Sequence, residues 1–242
     1  KPRLDDKTLT SWNALLLKGY VDAYRVFGDK EYLKIAQKNA RFLIKNQLRK
    51  DGGLNHNFKN GISNINGYLK DYATLIDAFL SLYESSLNEI WLFKAKDLTN
   101  YIFKHFINKK NSMFYETSIE DQLLISRNTE YRDNVIPSSN SMMAKNLFKL
   151  SHYFDNQIYK ETAFTMLNNV KPEIQNYPSG YTNWLDLMLN TSLPFYEIAI
   201  VGKDAKQKLK EINTFYIPNK IITASLTENN LPLLENRFIP NQ

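Results

Sequence analysis

The sequence contains no cysteine among its 242 residues. This absence excludes disulfide bonds, a thiolate nucleophile, an iron–sulfur cluster and cysteine-ligated zinc within this chain. Histidine is almost as scarce, with three residues at His56, His105 and His152. A two-histidine metal site or a pair of catalytic histidines would be hard to assemble from this set, so we expect neither a metal nor a cofactor.

Long apolar runs are also missing. No stretch approaches the roughly 20 residues that a membrane-spanning helix needs, and residues 1–6 have no apolar signal-peptide core. The first residue is Lys1 rather than methionine, so the sequence leaves open a targeting segment upstream. We expect a cytoplasmic location and no membrane partner.

The charge is mildly basic, with 31 Lys and Arg against 25 Asp and Glu and a formal net charge of +6. The densest run is Lys203, Lys206, Lys208 and Lys210. Its spacing fits the exposed face of a short helix, and no aromatic–basic recognition motif accompanies it. We therefore expect no nucleic-acid partner.

One pattern recurs three times: a polar residue, an aromatic residue three positions later and an alanine seven positions after the polar one. The three copies are Asp29-Tyr32-Ala36, Asn88-Trp91-Ala95 and Asn156-Tyr159-Ala163. Asp and Asn are favoured helix N-caps, and repetition at fixed offsets is typical of stacked helical hairpins. The repeat predicts a curved array in which each hairpin buries its apolar faces against its neighbours.

The apolar spacing predicts three hairpins, each made of an inner and an outer helix. The inner helices are predicted over residues 7–27, 66–85 and 138–154, the outer helices over 29–48, 89–106 and 157–170, and a seventh helix through Trp184 to about residue 189. Asp5 and Asp6 are expected to cap the first helix, and Pro172 is expected to close the sixth.

The last fifty residues change character. Residues 197–201 and 221–225 are apolar and rich in isoleucine, with the lysine-rich run between them, which predicts a small strand–helix–strand extension. We place the boundary at residue 193, with a helical array before it and an α/β extension over 194–242. Val201-Gly202 does not predict a phosphate site, because no second glycine follows at the fingerprint spacing.

The links from outer to inner helices are long, about residues 50–66 and 108–137, whereas the turns within hairpins are short. In a stack of alternating hairpins all inner helices run parallel, so their N-termini and the long links share one rim. Long ordered loops on a rigid scaffold often carry binding and chemistry. We therefore predict the functional site at this rim.

Two carboxylates on the rim are predicted acid/base residues, Asp71 and Asp133, since two carboxylates facing one cavity can divide acid and base work as in glycoside hydrolysis. A structural alternative exists for each: Asp71 as a helix cap, and Asp133 as the partner of Arg132 in a loop ion pair. His56 is the one histidine expected on the rim, either as an exposed loop residue or as a catalytic base.

Aromatic rings give flat platforms for sugar rings, and Asp and Asn side chains bind hydroxyls, so the composition of the rim suits a carbohydrate. The predicted substrate-binding residues are Asp6, Trp12, Asn13, Tyr72, Arg132, Asn140, Tyr181 and Trp184. Core packing is the alternative for Trp12 and Tyr72, while Ser138 and Ser139 are expected to cap the third inner helix.

Three segments in order carry a resemblance to a known family: LDDKTLTSWN at 4–13, GYLKDYA at 67–73 and PSSNS at 137–141. Together with residues 197–202 and 231–237, they resemble the spermatogenesis-associated protein 20-like family, whose members join a thioredoxin-like domain to a six-hairpin (α/α)6 toroid. That toroid is similar to those of N-acylglucosamine 2-epimerases and six-hairpin glycosidases. By analogy, the resemblance implies a cavity that binds a sugar-type ligand. The family has no settled biochemical activity that could be assigned to this chain.

Against that family, the chain looks like the C-terminal part of the toroid, about three hairpins. The family's redox connection rests on the thioredoxin-like domain, so it does not pass to this cysteine-free chain. We expect an apolar edge whose partner is either the missing upstream thioredoxin-like domain and hairpins or a second copy of the chain.

The sequence therefore predicts a mainly α protein, a carbohydrate-binding or carbohydrate-processing toroid segment that uses carboxylate acid/base residues at its rim. Two alternatives stay open. One is a non-catalytic helical-repeat module that binds a protein. The other is an epimerase-like sugar isomerase, which would need His56 close to a second base.

Overall fold

The protein is described here by a computed structural model that covers residues 6–122 and 125–239. Six long helices form three antiparallel hairpins. They pair as α1 (Thr10–Phe27) with α2 (Lys30–Gln47), α3 (Leu69–Ser86) with α4 (Glu89–His105), and α5 (Ser139–Phe154) with α6 (Gln157–Ile174). A 3-10 turn at Pro178–Tyr181 leads into α7 (Thr182–Ser192).

The helices form two curved layers. α1, α3, α5 and α7 contact one another in that order, while α2, α4 and α6 each pack outside their own hairpin partner. α3 lies in the middle of the inner layer and is the most buried helix, with its apolar residues closed off by α1, α4 and α5. The predicted arrangement of inner and outer helices is confirmed.

The three hairpin turns are built alike. The residues that end α1, α3 and α5 are Gly28, Leu87 and Asp155, all in the left-handed region with φ of 72°, 58° and 46°. The next residue then caps the outer helix: Asp29, Asn88 and Asn156 accept hydrogen bonds from backbone N–H groups two or three residues on. The predicted caps are confirmed.

Two helix ends differ from the prediction. α6 continues through Pro172 to Ile174, because a proline in the last turn removes a single backbone hydrogen bond while Ile174 gains a place in the core. α1 begins later than expected, at Thr10, because Thr8–Leu9 forms a short strand β1 that pairs antiparallel with β2 (Asn57–Phe58). Asp6 therefore does not cap α1, and Asp5 lies outside the described residues.

The C-terminal segment contains β3 (Tyr196–Val201), α8 (Ala205–Ile212) and β4 (Lys220–Ser225), with β3 and β4 parallel and in register from Tyr196–Lys220 to Val201–Ser225. The Tyr153 hydroxyl of α5 donates to the Ile222 carbonyl of β4 (3.1 Å). The predicted strand–helix–strand is confirmed and sits at the C-terminal ends of the inner helices. An independent domain over 194–242 stays a prediction.

The core is one continuous cluster that runs between the two helix layers and on into β4. Its largest fully buried side chains include Trp184, Tyr72, Tyr83 and Tyr153. Across the described residues, no helix combines the length and the apolar character that crossing a bilayer requires.

Candidate functional site

The first turns of the inner helices meet at one end of the array, where side chains tie each start to the next. The Ser11 N–H at the start of α1 donates to Asp71 of α3 (3.0 Å). The Asn183 N–H at the start of α7 donates to Asp133, just before α5 (2.8 Å). We call this end the rim: the starts of α1, α3, α5 and α7 together with the long links before α3 and α5.

Asp71 is fully buried and holds three partners at the rim. Its Oδ1 accepts from the Ser11 N–H, and its Oδ2 accepts from the Tyr68 N–H at the start of α3 (3.0 Å). Oδ2 also lies 2.8 Å from Nδ1 of His56. The cap expected as the structural alternative is therefore present, and in addition the carboxylate binds the rim histidine.

His56 is not an exposed loop residue, because its side chain is only 22% exposed and its ring contacts the Tyr68 ring edge-on (5.0 Å between centroids). The hydrogen bond to Asp71 raises its pKa above 6.5 although burial opposes the rise. In the neutral form Nδ1 donates to Asp71, so the lone pair is on Nε2. Nε2 has no hydrogen-bond partner within the described residues.

Asp133 is the counterpart of Asp71 on the other half of the rim. Its Oδ1 accepts from the Ser138 N–H (2.9 Å) and the Ser141 hydroxyl (2.6 Å), and its Oδ2 accepts from the Asn183 N–H. Each aspartate thus joins the starts of two neighbouring inner helices. These contacts place Asp133 to hold the starts of α5 and α7 together, and its acid/base role stays a prediction.

The prediction of an ion pair between Arg132 and Asp133 is wrong. Arg132 is largely exposed and donates instead to Glu173 of α6 (2.8 Å) and to the Tyr181 hydroxyl (3.1 Å). The oxygens of Asp133 accept instead from Ser138, Ser141 and Asn183. Arg132 therefore anchors the link to the outer layer.

A pair of carboxylates lies near the start of α5, and one of them also contacts the start of α3 through its backbone. The Ser139 hydroxyl is 3.1 Å from Glu116 and 3.4 Å from Glu130. Burial, assisted by the charge of Glu130, raises the pKa of Glu116 to about 8. Oε1 of Glu116 is buried without a hydrogen-bond partner in the described part of the chain. Neither glutamate was among the predicted site residues, and the only signal for the pair in the sequence is its place in the long link before α5.

Three aromatic residues predicted to bind the substrate, Tyr72, Tyr181 and Trp184, are fully buried. The Tyr72 hydroxyl accepts from the Leu54 N–H (2.8 Å), and the Trp184 ring N–H donates to the Tyr131 carbonyl (2.8 Å). Their polar atoms are thus used inside the protein. This geometry argues against stacking on a ligand and favours core packing.

The two predicted amides also have internal partners. Asn140 is buried; its Oδ1 accepts from the Phe114 N–H (2.8 Å), and its Nδ2 donates to the carbonyls of Phe114 and Glu130. Nδ2 of Asn13 donates to the Leu9 carbonyl one turn earlier (2.8 Å). Asn140 therefore orders the link that carries the Glu116–Glu130 pair.

Two further predicted residues lie where a ligand could reach them. Trp12 on α1 is 66% exposed. Asp6 forms an ion pair with Lys59 of the first link, and the hydrogen bond from Lys59 lowers the Asp6 pKa. Trp12 is thus an accessible ring on the rim, and Asp6 is a carboxylate held by the first link.

Below the rim, the concave face of the inner layer is charged. α3 carries Lys70, Asp77 and Glu84 at intervals of seven residues, and Glu84 accepts from Arg25 of α1 (2.7 Å). Burial would raise the Asp77 pKa, but nearby cations, first of all Lys149 at 3.6 Å, lower it. This charged wall was also missed, although charges at heptad spacing on an apolar helix were a usable signal.

No family model matches the sequence. Spermatogenesis-associated protein 20 of Homo sapiens is 26% identical over 236 residues, which cover 92% of this chain and 30% of that protein. An uncharacterized protein of Caenorhabditis elegans is 26% identical over 241 residues, with 95% and 33% covered. The chain spans about a third of the length of the curated relatives it matches, and the resemblance seen in the sequence is confirmed.

Solved structures define the fold class. A GH76 α-mannanase of Bacteroides thetaiotaomicron has a TM-score of 0.62 at 16% identity, covering 78% of this chain and 54% of that one. A cellobiose 2-epimerase from Bacillus thermoamylovorans has a TM-score of 0.57 at 18% identity, covering 68% and 44%. The hairpin array is therefore part of an (α/α)6 toroid, as predicted.

Proposed function

We propose that the rim binds a sugar-type ligand and exchanges a proton with it through His56. The observation that carries this proposal is the 2.8 Å hydrogen bond between His56 Nδ1 and the buried Asp71. A carboxylate on one ring nitrogen fixes the tautomer and orientation of the imidazole and leaves the other nitrogen as the base. Asp71, proposed from the sequence as an acid or base, would then act by positioning His56.

The carboxylate pair supplies the complementary acid. Both groups are attached to the first turn of α3: His56 is held by Asp71, and the Glu116 carbonyl accepts from the Leu69 N–H (2.9 Å). With a pKa raised to about 8 by burial, and by the charge of the exposed Glu130 nearby, Glu116 is protonated at neutral pH and can donate. A base and an acid on one rim suit proton transfer at a sugar carbon or a glycosidic oxygen.

A sugar is the proposed ligand class because the exposed Trp12 ring is an accessible apolar platform on the same rim as His56. The names of three similar structures support the same class: an α-mannanase, a cellobiose 2-epimerase and a D-mannose isomerase. Likeness of fold supports a ligand class, whereas the reaction depends on the site itself.

The test is proton exchange and hydrolysis measured side by side. The protein is incubated in D₂O with mannose, N-acetylglucosamine and cellobiose, and NMR follows loss of the C2 proton; aryl glycosides report hydrolysis. We expect exchange that falls by about 100-fold or more in His56→Gln. His152→Gln is the matched control, because His152 lies at the far end of α5 and binds Glu197.

Exchange that survives His56→Gln would contradict the role of this histidine. Hydrolysis that is lost in Glu116→Gln, without any C2 exchange, would assign the rim to glycosidase-type chemistry instead. If none of the sugars is turned over and none raises the melting temperature, the sugar function is wrong and the interaction module becomes the better interpretation.

A further inference from the structure

A large groove lies at the end of the array opposite the rim. It is bounded by the α1–α2 turn, the α3–α4 turn and α8, and its volume is about 580 Å³. The residues that matter for its chemistry are Val26, Phe27, Lys30, Lys206, Leu209 and Lys210. We call it the basic groove. It shares no residue with the rim, so it stands apart from the proposed sugar site.

The charge of the basic groove is of one sign. Arg25, Lys30, Lys206 and Lys210 line it, and no Asp or Glu belongs to its described lining. Arg25 is already paired with Glu84. The three lysines have no carboxylate partner in the part of the chain that the structure describes. Three positive charges at one groove are therefore free for an external acid.

The lysine run noted in the sequence divides between two faces of α8. Lys206 and Lys210, four residues apart, line the basic groove, because residues at this spacing share one helix face. Lys208 lies off the groove and pairs with Glu211 (2.8 Å), and Lys203 precedes the helix. The four lysines therefore do not form one solvent-exposed face, since two of them line the basic groove.

The groove also presents apolar side chains to solvent. Val26 and Phe27 at the end of α1 are 75% and 72% exposed, and Leu209 of α8 supplies part of the opposite wall. Exposed apolar patches rimmed by charge are typical of protein-binding surfaces. The lysines come from the two elements that flank this apolar strip, α2 on one side and α8 on the other.

We propose that the basic groove docks an acidic amphipathic segment of a partner protein. The apolar side chains of the segment would cover Val26 and Phe27, and its carboxylates would pair with Lys30 on one side and with Lys206 and Lys210 on the other. A helix whose apolar face lies in a groove, with charges at its margins, has this shape and charge pattern. A flat bilayer would not follow the walls of a groove between two elements, so a peptide fits better than a membrane.

The test uses a fluorescently labelled peptide of about 16 residues, with Leu at helical spacing and Glu on the flanking positions, and reads fluorescence anisotropy. Lys206→Glu with Lys210→Glu should weaken binding by about tenfold or more. Lys203→Glu with Lys208→Glu is the matched control, with the same charge change on the same segment, and should weaken it by less than about threefold. A peptide with Ser in place of Leu should not bind.

Equal losses in the two double variants, or equal binding of the Ser peptide, would show non-specific charge attraction and overturn the proposal. No binding of the Leu–Glu peptide would also overturn it. Vesicles of phosphatidylcholine and phosphatidylserine test a membrane as the other source of negative charge. The groove would bind a membrane instead of a peptide if the protein bound these vesicles but not the peptide, and if Lys206→Glu with Lys210→Glu abolished the vesicle binding. Circular dichroism of each variant verifies that the fold is intact.

Discussion

Two carboxylates on one rim, Asp71 and Glu116, have different surroundings. Asp71 is fully buried, and its oxygens accept hydrogen bonds from two backbone N–H groups and bind the His56 ring. Glu116 has a buried oxygen without a partner and the negative Glu130 nearby, both of which favour its neutral form. Neighbouring groups, rather than residue type, therefore raise the pKa of Glu116.

At the residue scale, Asp71→Asn should lower the His56 pKa, because the carboxylate that stabilises the imidazolium is removed. In the wild type, the stabilisation from this pair is present below pH 6.5 and is lost as the pH rises through the raised pKa. NMR titration of the His56 ring measures the change. Asp6→Asn, which breaks an ion pair elsewhere near the rim, should leave that titration unmoved; an unchanged pKa in Asp71→Asn would refute the pairing.

Glu116 should make the protein less stable as the pH rises. Its pKa is about 8 in the folded protein against 4.5 as the ordinary value, so the folded state binds more protons, and stability falls from pH 4.5 up through pH 8. Glu116→Gln removes this loss of stability at high pH. The substitution should raise the melting temperature by about 4 °C at pH 9 and change it by no more than about 1 °C at pH 5. Calorimetry at both pH values measures it, with the exposed Glu161→Gln as control. Equal effects at the two pH values would contradict the raised pKa.

At the scale of elements, local signals predicted the array well. The caps Asp29, Asn88 and Asn156 could be predicted because an N-cap depends on two or three neighbouring residues. The partners of Asp71 and Asp133 could not be predicted, because Ser11 and Asn183 come within hydrogen-bond distance only when separate hairpins pack. The rim could thus be located from loop lengths, whereas the groups that share protons within it depend on tertiary contacts.

The left-handed turns give a paired test of the repeat. Gly28→Ala places a side chain at φ 72° and should cost about 1 kcal/mol. Asp155→Gly relieves an exposed residue at φ 46° and should add about 0.5 kcal/mol. Urea unfolding measures both. If the two substitutions shifted stability in the same direction, the turns would not be equivalent.

Asp133 offers a test of its structural role against the predicted catalytic one. Asp133→Ala leaves the Ser138 and Asn183 N–H groups without an acceptor, so we expect a loss of about 3 kcal/mol by urea unfolding. Arg132→Gln, which removes an exposed ion pair, should cost less than about 1 kcal/mol. A stable Asp133→Ala protein without sugar turnover would restore Asp133 as an acid/base residue.

For the whole molecule, the decisive feature is that the inner layer is open at both ends. An inner helix in a closed ring has a neighbour on each side, whereas α1 and α7 each have a single inner-helix neighbour in the described chain. α1 exposes Trp12 and Leu16 one turn apart, and α7 exposes Leu189. The chain covers 54% of the α-mannanase and 44% of the cellobiose 2-epimerase, as expected of part of a ring.

An open apolar edge should make this chain associate, because burying Leu16 of α1 and Leu189 of α7 against a second copy removes apolar area from water. We expect sedimentation velocity to show concentration-dependent association up to about 100 µM. Leu16→Lys combined with Leu189→Lys should abolish it. Ile158→Lys, an equally exposed site on the outer helix α6, is the control and should leave association intact. A wild-type chain that stays monomeric would leave additional hairpins, rather than a second copy, as the partner of the α1 edge.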